Sequence, residues 1–533
     1  MKRMLIFLLL IVGYGQLEAQ SIDTLRRIDE NFARWNNATP GGSILIARGD
    51  KILYQKAYGL ADLEHLAPNT TETIFECGSV SKQFTAMSIL LLAKEGKLGL
   101  NDDVRKYIPE LPVYDKVITI QHLMNHTSGL KDWGSVGALG GWPRTTRNYT
   151  HELALEIIFR QKSVNFTPGN EYSYSNSGYT LMTTIVEKLS GMSLEDFTRI
   201  RFFEPLGMKN TQWRSDFRKI IPGRSIAYSR TRTGYEQNMP FENIYGHGGL
   251  LTTTSDLMKW NTLLENHKIG GDDIYKERIR KGKLNNGSEI GYASGLFIAK
   301  INGFDEINHS GATAGYRGWL AYYPQKKLTV IMLSNDAGFN PATVGAQIAK
   351  IYLGEEVPKA STTAISVKPE ELKKFEGKYR SIRNFDLLTL EFSDGKIKQN
   401  GRALFSSDAN TLFNDNLQWI YLSKDKVMVK NSMDTSSYYR VKPVSAQFSL
   451  KDYTGTFRSD EADGTLLIDI RDNTLWVHET PLPSFKLTPE FQDAFTSNSG
   501  DLVEFTRNKQ GTITGLTVSA SRAEKVRFNK ISK

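Results

Sequence analysis

A single cysteine in 533 residues, Cys77, excludes an internal disulfide, so the chain must hold its shape by burying apolar surface, which a length of this order supports. Beyond the first twenty residues no apolar run reaches the ~20 residues a helix needs to cross a bilayer, so no membrane span is expected. Excess charge is small as well. Lys and Arg number 67 against 58 Asp and Glu, a net charge of +9, and no basic stripe interleaves with aromatics, which argues against a nucleic-acid partner. Metal-binding patterns are equally scarce. His122 and His126 have the spacing of two ligands on one helix face, but Leu123-Met124-Asn125 lacks the Glu that follows the first His of zinc proteases. His247 heads a Gly-rich loop with no phosphate-binding Lys behind it, so neither a metal nor a cofactor is expected. Cys77 itself reads as a small buried hydrophobe.

Against those absences, the composition is that of an ordinary globular protein, 40% hydrophobic and 23% charged. Its start differs. Lys2 and Arg3 precede the apolar run Met4–Val12, then polar residues and the small Ala19, the layout of a secretory signal peptide over residues 1–19. Cleavage there leaves Gln20 first, with no cysteine nearby to carry a lipid, so an exported protein of the periplasm or exterior is expected.

Residues 20–355 read as one catalytic domain. Gly42–Ala47 and Lys51–Tyr54 alternate like two strands of a hairpin, helical patterns dominate from Ser79 to about Leu264, and strands return at 291–301, 317–323 and 328–333. Terminal strands around a helical middle predict an α+β domain, an antiparallel sheet with helices against it and an all-helical region. A linker rich in Ser, Thr, Ala and Pro follows over 356–369. Beyond it Leu372-Lys373-Lys374-Phe375-Glu376-Gly377-Lys378-Tyr379-Arg380-Ser381 repeats as Leu450-Lys451-Asp452-Tyr453-Thr454-Gly455-Thr456-Phe457-Arg458-Ser459. Short strands without helices predict two small all-β barrel-like domains, 370–445 and 446–533.

The chemistry lies in Ser79-Val80-Ser81-Lys82. Residues three apart share a helix face, which brings the Lys82 nitrogen beside the Ser79 hydroxyl. Serine is a poor nucleophile without a base, and Lys serves as one only where burial and nearby positive charge lower its pKa from ~10.4. The run Gln83–Ala93 is apolar around nearly its whole circumference, predicting a central helix opening at Ser79, and Lys94-Glu95-Gly96 ends it. Ser-x-x-Lys recurs at Ser128, Ser393 and Ser423 and is weak alone. Order and context distinguish Ser79: it precedes Tyr174-Ser175-Asn176, where Tyr174 is the one Tyr followed by x-Asn, and His309-Ser310-Gly311 on a strand.

Ser-x-x-Lys, Tyr-x-Asn and His-x-Gly in this order resemble the penicillin-recognising serine hydrolases, namely class C β-lactamases, DD-peptidases, D-aminopeptidases and related esterases. The resemblance spans residues 22 to 355 and includes His122–Leu130 and Gly246–Thr253. It implies a β-lactamase/transpeptidase-like fold and makes Ser79 the nucleophile that forms an acyl-enzyme. Lys82 and Tyr174 would share the proton traffic, with either able to be the base and the two titrating as a unit. His309 would be the third catalytic group and Asn176 would orient substrate. The backbone N–H groups of Ser79 and of Ala312, which follows Ser310 and Gly311, would form the oxyanion hole.

His309 departs from the Lys that heads this motif in most β-lactamases and is mostly neutral above pH 7, which resembles DD-peptidases and D-aminopeptidases. Ala312 departs from DD-carboxypeptidases, which carry a hydroxyl there; Ser310 and Arg317 are the polar groups left nearby. Two β domains behind the catalytic domain resemble D-aminopeptidases. The expected function is an exported serine hydrolase acting on small-molecule or peptide substrates, amides or esters, of D-amino-acid-containing type. Alternatives are an esterase or weak β-lactamase, and a penicillin-binding sensor acylated without turnover.

Overall fold

The computed structural model describes residues 22–144, 146–354, 364–381, 387–414, 417–430, 435–441, 449–479 and 481–531. The expected leader, the linker over 356–363 and the junction of the two tail domains at 445 and 446 lie outside the described residues. The chain divides into two compact units; the described parts of the first are 22–97, 186–280 and 292–354, and those of the second are 98–144, 146–185, 281–291 and the described tail residues from 364 onward.

Unit one is organised on a six-stranded antiparallel sheet of β1 (Gly42–Arg48), β2 (Lys51–Tyr58), β3 (Phe297–Ile301), β4 (Phe304–Thr313), β5 (Tyr316–Tyr323) and β6 (Leu328–Ser334), in the order β3-β4-β5-β6-β1-β2. Pairing of β1 with β6, Gly42 opposite Ser334 through Arg48 opposite Leu328, joins the two ends of the domain as the terminal strands predict. Alternate residues face opposite ways. Ile44, Ile46, Val330 and Met332 therefore pack with Ile28, Phe32 and Ile348 under the helices 22–30 and Pro341–Leu353. Contacts of helix Thr254–Asn261 with β1 and β6 cover the sheet from elsewhere, tied by Ser43 Oγ to Thr254 Oγ1 at 3.2 Å and Asn261 Nδ2 to Thr329 Oγ1 at 2.8 Å.

Two expectations are corrected. The helix does not open at Ser79: Gly78–Ser81 is a 3-10 turn and the α-helix runs Lys82–Lys94, because Gly78 takes φ +55 to bring the turn against β4. The strand expected from 291 begins only at Phe297, since Ala293–Leu296 forms a turn closed by the Ala293 N–H donating to Leu296 O at 2.8 Å. The central helix is otherwise as its composition predicts, buried from Lys82 through Leu92, with Phe84 stacked on Trp260 at 4.0 Å.

Unit two holds the helical region, with helices Ile120–Met124, Trp133–Leu139 and His151–Phe159 and the start of Asn176–Ser190. Thr119, Asp132 and Thr150 cap the first three by accepting the N–H of the residue three positions on. In the tail, strands between Gly377 and Arg440 form a nine-stranded antiparallel sheet over a core that includes Phe375, Tyr379, Leu390 and Trp419. Eight strands from Gly455 to Ile531 close into a barrel, the first pairing with the last through Thr456 opposite Ile531. The repeated segments adopt the same local form, a 3-10 turn at Lys373–Phe375 and at Leu450–Tyr453, each followed by a first strand that opens on Gly377 or Gly455. Among the described residues no helix is long and apolar enough to cross a membrane.

Candidate active site

In unit one, Ser79 lies half-buried on its turn while Lys82, one turn on, is wholly buried. Lys82 Nζ donates to Ser79 Oγ at 3.2 Å and to the carbonyl of His247 at 2.5 Å. Those two bonds aim the lysine at the serine. The turn is fixed from below: Ser81 Oγ donates to Gly78 O at 2.5 Å and accepts the Leu250 N–H at 3.2 Å, and the Cys77 N–H donates to Leu250 O at 2.9 Å. Burial pushes the Cys77 thiol up to about 12, which keeps it an inert filler.

Strand β4 carries the third motif directly against this turn. A Cβ on Gly311 would meet Cys77 O and would stand 2.9 Å from Ser79 N, and one on Gly78 would stand 2.6 Å from Ala312 N. Only glycine at both positions lets the backbones come this close. The Ser79 and Ala312 amides thus lie on adjoining segments, the placement that two oxyanion donors need. His309 is buried beside them, its Nε2 3.0 Å from Tyr292 Oη and its Nδ1 2.5 Å from Ser310 O. Burial, then the nearby Lys82 charge, drive its pKa down to about 3, so the ring is neutral at ordinary pH. Arg317 Nη1 is committed to the carbonyls of Ala314 at 2.8 Å and Tyr316 at 2.7 Å.

Tyr174 and Asn176 belong to unit two, where a dense polar frame fixes them. The His126 ring lies 4.2 Å from that of Tyr174, its Nδ1 accepts the Ser175 N–H at 3.2 Å, and its carbonyl accepts the Ser173 N–H at 2.9 Å. Asp132 Oδ2 accepts the Asn176 N–H at 2.8 Å, and Ser177 Oγ donates to Lys131 O at 2.7 Å. Burial would raise the Asp132 carboxyl, but Arg522 and the N–H groups of Asn176 and Ser135 outweigh it and hold it below the usual range. Arg522 comes from the C-terminal barrel. Its guanidinium stands 5.4 Å from the Tyr174 ring centre and 3.8 Å from Asp132 Oδ2, and its carbonyl accepts the Asp132 N–H at 3.0 Å.

His247, His126, Asp132 and Arg522 are positioning residues that the sequence reading did not single out for these tasks. A lysine held by a main-chain carbonyl has no sequence signature. Nor has the buried pair of Arg214 Nε and Glu76 Oε2, 2.8 Å apart, which anchors the strand leading to Ser79. The former metal candidates are accounted for locally, since His122 Nδ1 accepts the Thr119 N–H in a capping box at 3.2 Å.

Comparison with known proteins gives the family of the chain. The Beta-lactamase family profile matches residues 23–352. Penicillin-binding protein 4* of Bacillus subtilis is 31% identical over 313 residues, 55% of this chain and 68% of that protein. A D-aminopeptidase of Cereibacter sphaeroides is 24% identical over 528 residues, 92% of this chain and 96% of its own length. Among solved structures, the octameric penicillin-binding protein homologue from Pyrococcus abyssi superimposes with a TM-score of 0.54 at 21% identity, over 95% of this chain and 99% of that one. With its profile matched across most of the chain and its fold shared, this protein belongs to the Beta-lactamase family and is a serine hydrolase of the penicillin-recognising kind.

Proposed function

We propose that the protein is an exported hydrolase that opens amide bonds of D-amino-acid-containing peptides through an acyl-enzyme on Ser79. The observation that carries this reading is the buried Lys82 amine 3.2 Å from the Ser79 hydroxyl. Ser79 Oγ attacks the carbonyl carbon while its proton passes to Lys82 or Tyr174, the carbonyl oxygen gathers charge at the Ser79 and Ala312 amides, and the amine departs with a proton. Water then cleaves the ester and regenerates Ser79. Tyr174 and Asn176 enter on their motif, with Asn176 orienting the substrate.

The neutral His309 supports a substrate that offers no carboxylate to that position, because an uncharged imidazole gives a carboxylate little attraction. Arg317 is held by main-chain carbonyls and Ala312 brings no hydroxyl, which adds to the same reading. The D-aminopeptidase relative aligns across the tail as well as the catalytic domain, which favours amino-terminal D-residues over terminal D-Ala-D-Ala. Export rests on the charged-then-apolar pattern of residues 1–19 and is tested by an N-terminus at Gln20 in the mature protein.

Turnover of D-alanine amide, a D-Ala-D-Ala peptide, a chromogenic cephalosporin and a p-nitrophenyl ester by one preparation decides the substrate class. The D-amide should show the highest kcat/KM, with its L-isomer at least tenfold slower. A preference for the ester would favour an esterase, and one for the cephalosporin a β-lactamase. The penicillin-binding relative motivates a further comparison, since a stoichiometric burst with penicillin and no turnover of any substrate would mark a sensor.

A further inference from the structure

Side chains do not fill one end of the closed C-terminal barrel. A cavity of about 440 Å³ remains there, within the ~300–1,000 Å³ of small-molecule sites. Its wall is hydrocarbon from Leu466, Ile468, Val477, Phe485, Val518 and Phe528, and helix Trp133–Leu139 closes it with Ser135, Ala138 and Leu139. The two sides meet tightly, since a Cβ on Gly464 would stand 2.6 Å from the Gly140 Cα.

Of the three carboxyl groups that line the cavity, Asp132, Glu479 and Asp501, one stands apart. Glu479 is 8% exposed and lines the cavity, and its Oε1 has no hydrogen-bond partner. A buried polar atom left unpaired is costly, so its retention points to something that pairs with it. The other charged groups around the cavity are engaged. Asp132 faces Arg522 at 3.8 Å, Asp501 accepts Ser497 Oγ at 2.9 Å, and the Arg144 guanidinium lies 5.3 Å from the Trp133 ring. Asp501 places a negative field at Glu479, which repels an anionic ligand and attracts a cation.

We propose that this end of the barrel binds an apolar molecule bearing one amino group, with its hydrocarbon part against the wall and its ammonium on Glu479 Oε1. The reacting groups Ser79 and Tyr174 do not line the cavity, and the proposal stands independently of the acyl-transfer reading. Burial, followed by the charge of Asp501, raises the empty carboxyl to about 8, so below that pH the site starts as the neutral acid. An ammonium entering at neutral pH displaces the carboxyl proton to solvent and leaves a carboxylate–ammonium pair. Affinity should therefore rise with pH up to about 8.

Calorimetric titration of the full chain with 3-phenylpropylamine, 3-phenylpropanol and 3-phenylpropionate tests this. The amine should bind at least tenfold tighter than the alcohol or the acid, and at least tenfold tighter at pH 8.5 than at pH 6. At pH 6 its heat should vary with buffer because a proton is released. Glu479→Gln should weaken the amine at least tenfold with an unchanged melting temperature, and Ala138→Phe, which fills the cavity, should abolish binding of all three. Phosphonylating Ser79 beforehand with a fluorophosphonate should leave amine binding within twofold. No binding by the wild type, equal binding by Glu479→Gln, a preference for the alcohol or acid, or loss of binding after phosphonylation would each overturn the proposal.

Discussion

At the scale of single residues, His309 shows how position changes a side chain's chemistry. Its ordinary pKa is 6.5 and the folded value is about 3. Above pH 6.5 the ring is neutral whether the chain is folded or not. Between 6.5 and 3 the unfolded chain takes up a proton that the folded one refuses, so acid pulls the equilibrium toward unfolding. Stability is complete above the ordinary value and is lost as the pH falls toward the folded one. His309→Gln keeps a partner for Tyr292 and does not titrate. Urea denaturation at pH 7 and at pH 4.5 should show a smaller loss of stability in the variant than in the wild type, and equal losses would contradict the assigned burial effect.

At the scale of elements, the turn that carries Ser79 depends on β4 lying almost in contact with it. Gly311→Ala would drive a methyl group against Cys77 O and Ser79 N, pushing apart the segments that carry the two amides proposed as oxyanion donors. Acylation should slow by about 10² to 10³, the usual cost of losing an oxyanion donor, while the sheet survives. Stopped-flow acylation with a chromogenic ester, read beside circular dichroism, checks this. A near-normal rate would show that the two strands can part without harm. These elements differ in how legible they were in the sequence. The serine–lysine spacing, the all-round apolar helix and the pairing of the first and last strands follow from periodicities of 3.6 and 2, so Ser79, Lys82 and the central sheet could be read directly. The 3-10 turn at Gly78–Ser81 could not be read that way, because the backbone packing against Ala312 that selects it is made by a strand more than two hundred residues away. The same holds for His247, whose contribution to Lys82 is a carbonyl that any residue would carry.

At the scale of the whole molecule, the tail takes part in the frame around the Tyr-x-Asn motif. Arg522, at the tip of a barrel hairpin, sets a cation over the Tyr174 ring and faces the carboxylate that fixes Asn176. Glu461, from the same barrel, lies 3.8 Å from the buried Lys131 amine. A cation over an aromatic face contributes ~0.5 to 2 kcal/mol. Arg522→Ala should therefore lower kcat/KM roughly tenfold without loss of Ser79 labelling, as steady-state kinetics on the preferred substrate would reveal. Unchanged kinetics would reduce the barrel's role here to packing. The sequence showed that β domains were present, through the repeat at Leu372 and Leu450, but not where they attach. An isolated arginine such as Arg522 has no pattern to mark it, since its partners lie in the helical region hundreds of residues earlier.

The most direct test of the account is to treat the wild type, Ser79→Ala and Ser128→Ala with a fluorophosphonate and locate the adduct by peptide mass spectrometry. One adduct is expected on the Ser79 peptide in the wild type and in Ser128→Ala, with none in Ser79→Ala. Labelling that persists in Ser79→Ala, or that falls on another serine, would contradict it.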